Sequence, residues 1–164
     1  MRSTEIKTDI LIIGYGNPLR GDDGVGWAAA EKLEAEIHER SLDVMTVHQL
    51  TPDLASDVAD AGLVIFIDAS VTDPPGGIAC RAITPGDVDA RVFTHSMVPD
   101  RLVSCACHPF GGSPRAFVYT VGGEFFGYRE GLSEVVEAAL PELVERVELL
   151  IAWWEGRVGQ CIET

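Results

Sequence analysis

Two adjacent aspartates, Asp22 and Asp23, close a glycine-rich stretch, D-I-L-I-I-G-Y-G-N-P-L-R-G-D-D-G-V-G, over residues 9–26. A third, Asp68, ends the most apolar run of the chain, L-V-I-F-I-D, and His95 follows after the next strand-like stretch. Carboxylates gathered with an imidazole attract a borderline divalent ion such as Zn²⁺, Ni²⁺ or Mn²⁺. A charge at the end of a buried strand is costly unless it is paired or bound to a cation. Asp23, Asp68 and His95 supply three candidate ligands and leave coordination positions open, as a reactive or ligand-exchanging site requires.

The glycines invite other readings, which the residues around them oppose. A dinucleotide fingerprint needs glycine where Leu19 stands, and an acidic ribose partner where the second strand ends in His48. Gly16 and Gly21 have phosphate-loop spacing, but Asp22 and Asp23 replace the required Lys and Ser/Thr and would repel a triphosphate. One aspartate before a helix is an ordinary N-cap, favoured by the helix dipole. The second is left over. The expectation is that Asp22 serves the cap and Asp23 reaches the cleft.

These residues need a scaffold. Residues 9–14 read as a buried strand ended by glycine, and residues 24 to about 40 as a helix with Val25, Ala29, Leu33 and Ile37 on one face. Residues 43–48 form a second strand, and Thr51 with Pro52 opens a helix. The unbroken apolarity of residues 63–68 implies cover on both faces, as in a parallel sheet. Residues 78–83 alternate like a strand near an edge, antiparallel to its neighbours. Residues 98–107 predict a short helix and 115–121 a strand. A helix from 133 to about 154 is predicted to kink or break at Pro141. The order predicts one α/β domain over residues 1–164, a three-layer α/β/α sandwich with a mostly parallel twisted sheet of about five strands. Ligands of such folds sit at the carboxyl ends of the strands, where residues 14–23, His48 and Asp68 emerge.

The 164 residues carry 26 acidic against 12 basic side chains, a net charge of −14 that argues against a nucleic-acid groove. No signal segment or membrane span is apparent, and four cysteines lack the spacing of a disulfide framework, so a cytoplasmic protein is expected. Cys105-Ala106-Cys107-His108 lacks the second Cys/His pair of a zinc site and reads as buried or idle thiols. His38 reads as solvated, Glu124 as an exposed loop carboxylate, and Trp153 and Trp154 as core and flank, with a partner contact as the alternative.

The motif over residues 14–26, H-Q-L-T-P-D-L at 48–54, V-I-F-I-D-A at 64–69, Thr94-His95 and Y-T-V-G-G-E at 119–124 together resemble the [NiFe] hydrogenase maturation proteases. The likeness runs in order from about Asp9 to Trp154. It implies an endopeptidase that trims the C-terminal extension of a hydrogenase large-subunit precursor after nickel insertion. Family positions carried over residue by residue make Asp23, Asp68 and His95 the nickel-contacting and catalytic residues. The nickel belongs to the substrate, and no organic cofactor, nucleic acid or membrane partner is implied; a monomer is expected. Some members carry Glu at the position of Asp23, and other branches place Asp at that of His48, so no role transfers to His48. With no G-x-S-x-G elbow or H-E-x-x-H helix present, the implied mechanism has nickel polarise the scissile carbonyl or a bound water, with Asp22 or His48 moving the proton. The alternative is a non-catalytic nickel-binding checkpoint or chaperone for hydrogenase assembly.

Overall fold

The unbroken apolar runs form the interior strands of one five-stranded sheet in the computed structural model, which describes residues 9–38, 41–85 and 97–156. Its strands are β1 (Ile10–Tyr15), β2 (Leu42–Val47), β3 (Leu63–Ser70), β4 (Ile78–Ile83) and β5 (Arg115–Gly122). They lie in the order β2-β1-β3-β5-β4, parallel except for the edge strand β4, which pairs antiparallel with β5. The helices are α1 (Val25–Glu36), α2 (Ala55–Asp60), α3 (Pro99–Cys107) and α4 (Glu134–Trp154).

The period-two alternation of each strand decides which helices cover it. Ile10, Ile12, Leu63, Ile65 and Ile67 face α1 and α4, packing with Leu33, Leu143, Val147 and Ile151. Leu11, Ile13, Val64 and Phe66 face α2 and α3, packing with Val58, Leu102 and Val103. Each fully buried side chain of this size contributes about 1.5–3 kcal/mol by leaving water. The three-layer expectation holds, and so does the antiparallel edge.

Several boundaries differ from the sequence reading. The α1 helix stops at Glu36, and β3 continues two residues past Asp68 to Ser70. Thr51 makes no side-chain cap; Pro52–Leu54 forms a 3-10 turn that leads into the short α2. Pro141 does not break α4, which runs through it for 21 residues. Val136, Leu140, Leu143, Val144 and Val147 bury one stripe on both sides of the proline, and this packing outweighs the lost backbone hydrogen bond. Among the described residues no helix is long and apolar enough to cross a membrane.

From β1 the chain passes through α1 to β2 on one side, whereas β3 lies on the other, so the topology switches between β1 and β3. The start of α1 is pressed onto this point. A Cβ on Gly14 would stand 2.1 Å from the Gly26 carbonyl oxygen, and one on Gly26 would stand 2.4 Å from that of Ile67. Helix and strands therefore touch backbone to backbone, which fixes the direction in which the preceding loop leaves the sheet. Gly14→Ala is expected to destabilise the fold by about 3 kcal/mol through overpacking. Thermal denaturation should register this as a fall of roughly 6–12 °C; an unchanged melting temperature would contradict the close approach.

Candidate active site

Period two also selects the chemistry at the switch point. Tyr15 continues the Leu11–Ile13 face of β1, and Asp68 continues the Val64–Phe66 face of β3. The register pairs Gly14 with Ile67, so Tyr15 and Asp68 come next on the two strands, side by side on the α3 face. The Tyr15 hydroxyl donates a hydrogen bond to the Asp68 carboxylate. The Ala69 amide donates to Asp68 Oδ1 at 2.8 Å. Burial pushes the half-buried Asp68 up to about 6; its two hydrogen bonds oppose the rise, and the nearby charge of Asp23 adds to it. Burial also pushes the Tyr15 phenol far above its ordinary value, with the Asp68 charge acting in the same direction.

Asp23 arrives from the loop after β1. Gly16, at φ +135°, folds the backbone so tightly that a Cβ there would lie 2.1 Å from the Asp23 carbonyl oxygen. The Asn17 amide donates to Asp23 Oδ2 at 2.7 Å, which orients the carboxylate and leaves its other oxygen without a described partner. Asp23 and Asp68 thus both lie at the switch point, each partly accessible, and the charge of Asp23 acts on Asp68.

Asp22 does something else. It makes no cap for its own helical turn, and it is 0% exposed. Its Oδ2 accepts from the amides of Glu124 (2.8 Å) and Phe125 (3.0 Å) and from the Ser133 hydroxyl (2.8 Å). Oδ1 accepts from the Ser133 amide at 2.7 Å. Burial alone would push this carboxyl up, but the four hydrogen bonds together hold it below the usual carboxylate range. Asp22 is an anchor between the β1–α1 loop and the β5–α4 connection. The expected capping role is wrong, and so is the suggestion that Asp22 moves a proton, since both oxygens are engaged by the connection after β5 and the side chain is fully buried.

At the rim, Arg81 of β4 makes a two-point ion pair with Asp100 in the first turn of α3, at 2.9 and 2.6 Å. Its charges act on Tyr15, which places the pair beside the same cleft. His48 is exposed and tilted against the Trp27 ring, 5.0 Å between centroids, as befits a strand-end histidine. His95 lies outside the described residues. Among those described, no three His, Cys, Asp or Glu side chains form a metal-binding group. Cys105 and Cys107 pack against the α2/α3 core, and Glu124 is exposed. Trp153 and Trp154 are the flank of the core: Arg115 lies over the first ring, and the second donates to Asp9 Oδ2 at 3.1 Å.

This architecture matches solved structures over almost its full length. HybD, a hydrogenase maturating endopeptidase from E. coli, superposes with a TM-score of 0.71 at 26% identity, covering 90% of this chain and 94% of its own. In fold the chain is similar to the hydrogenase maturation proteases. A [NiFe] hydrogenase maturation protease, HycI from Thermococcus kodakarensis, shares the fold at TM-score 0.67 and 24% identity over 90% of this chain and 92% of that one. A hydrogenase 2 maturation peptidase from a Thaumarchaeota archaeon does so at 0.65 and 22%, over 87% and 97%. No family model matches the chain, and no curated protein matches it. Within this maturation-protease fold, Tyr15 and the Asp22 anchor are the site features that motif reading missed. Continuing the β1 alternation by one residue signals Tyr15. Nothing local signals that Asp22 binds Ser133, 111 residues away.

Asp22→Ala leaves four donors facing a cavity and is expected to cost on the order of 3 kcal/mol or more in a denaturant titration. Asp68 gives the opposite sign. Its folded value of about 6 exceeds the ordinary carboxylate value of 3.8, so its contribution to stability is full at low pH and is lost as pH rises through 6. Relative to the unmodified protein, Asp68→Asn should therefore gain stability between about pH 4 and pH 7, by at most about 3 kcal/mol. Parallel unfolding curves at both pH values would refute this.

Proposed function

We propose that the chain is an endopeptidase that removes the C-terminal extension of a [NiFe] hydrogenase large-subunit precursor after nickel insertion. The observation that carries the reading is the fold shared with HybD; the charge of Asp23 acting on Asp68 at its switch point supports it. The metal is the substrate's cargo. Oxygen donors from Asp23 and Asp68, with the imidazole of His95 as third ligand, suit a borderline divalent ion that keeps ligands of its own.

The donor set is compatible with that role. Asp23 has one oxygen held by Asn17, and Asp68 is fixed by Ala69 and Tyr15, so both carboxylates are oriented before a cation arrives. With its value near 6, Asp68 holds a proton below that pH and yields it when a cation favours the carboxylate. The precursor's nickel supplies Lewis acidity toward the scissile carbonyl or a bound water. Asp68 is the described group able to hold or move a proton at that place, and Tyr15 sets its direction.

Incubation of nickel-loaded precursor with the protein should release a C-terminal peptide, read as a loss of intact mass. Asp23→Ala, Asp68→Ala and His95→Ala should each slow that loss on the order of a hundredfold, and nickel-free precursor should remain whole. An unchanged mass with tight binding of the loaded precursor would instead favour the non-catalytic checkpoint.

A further inference from the structure

Beside the two carboxylates lies a surface that the proposed chemistry does not use. The backbones of Arg20 and Arg129 bridge in parallel, with the Gly21 amide donating to the Arg129 carbonyl at 2.8 Å and the Arg129 amide to that of Leu19 at 3.0 Å. This small ribbon carries three large apolar side chains into solvent: Leu19 at 58%, Phe125 at 42% and Tyr128 at 90% exposure. The Arg20 guanidinium sits 5.8 Å from the Tyr128 ring centroid, and that of Arg129 sits 5.6 Å from the Phe125 ring centroid. Among the described residues neither arginine has an ion-pair partner, although Glu124 and Glu130 lie on the same connection. Rings and guanidinium groups held together, without a carboxylate, present apolar area and positive charge at one place. The chain as a whole has a net charge of −14, so two adjacent guanidinium groups without an acidic partner stand against its general balance.

We propose that Leu19, Arg20, Phe125, Tyr128 and Arg129 form the docking surface for a segment of the precursor that combines apolar side chains with carboxylates. The inference rests on the precursor being the substrate, and it names the chemistry of the part recognised away from the metal. Position supports it. Arg20 is three residues before Asp23, and Asp22 binds the Phe125 amide, so ribbon and carboxylates move as one body. Apolar area supplies affinity, while the two guanidinium groups select acidic segments and raise the encounter rate with them. A segment seated on the ribbon enters the cleft from the side of the β1–α1 loop.

Affinity and cleavage are measured separately, with nickel-loaded and nickel-free precursor and with the doubly substituted Arg20→Glu/Arg129→Glu protein, Tyr128→Ala, and Leu149→Ala on α4 as a control. Both arginines and Tyr128 are exposed, and circular dichroism checks that each variant is folded. The expected result is that the double variant weakens Kd for both precursor forms by about tenfold or more and Tyr128→Ala by about fivefold. Cleavage then loses KM rather than kcat, the salt dependence of binding flattens in the double variant, and Leu149→Ala binds normally. If cleavage proceeds and the variants bind like the unmodified protein, the docking proposal falls and the peptidase reading stands. If no cleavage occurs but the variants lose affinity, the peptidase reading falls and the docking surface stands. Absence of both binding and cleavage in the unmodified protein overturns both. A dimer that the double variant dissolves, with precursor affinity intact, assigns the ribbon to self-association and also overturns the proposal.

Discussion

A single buried carboxylate holds the working end of this molecule together. Asp22 binds three amides and a hydroxyl from the β5–α4 connection, and it does so with no cation nearby among its partners. The free energy of such an ion depends on all its donors being present at once. The loop after β1 and the connection after β5 are therefore placed by the same contact. Without it, Asp23 would lose its fixed approach to Asp68, and the ribbon of Arg20 and Arg129 would lose its support. The Ser133 hydroxyl, at the N-cap of α4, turns to Asp22 instead of its own helix and ties that helix into the same arrangement.

Adjacent aspartates thus acquire opposite environments. Asp22 is sealed and held in its ionised form by dipoles, whereas Asp23 keeps an oxygen available at the cleft. Asp68, on the other wall, is displaced toward protonation by burial. The same side chain at three positions yields an anchor, a candidate ligand and a candidate proton carrier. Environment alone separates them, through the number of donors and the depth of burial.

Much of this could be read before any coordinates. The strand over residues 63–68 and its parallel neighbours follow from continuous apolarity, and the edge position of β4 follows from its half-polar alternation. That Asp23 and Asp68 emerge at the same end of the sheet follows from the strand order. Asp22 was not legible, because its partners are more than 100 residues away and capping is the local default. The continuity of α4 through Pro141 was equally hidden, since the packing that outweighs the proline comes from the sheet and not from the helix. Tyr15 lay inside a glycine motif, where strand periodicity is easily abandoned one residue too early.

The strand order has a mechanical consequence. β1 pairs with β2 and β3, and β3 pairs with β1 and β5, so the strand that carries Asp68 and the strand that launches Asp23 are both enclosed by neighbours. Local opening events are concentrated at edges and loops, and interior strands exchange only with the opening of much larger units. Nothing short of large-scale unfolding can separate the two walls of the cleft at their base. The floor of the cleft accordingly keeps a constant width, fixed when the sheet forms, and anything that enters must be accommodated by the loops above it.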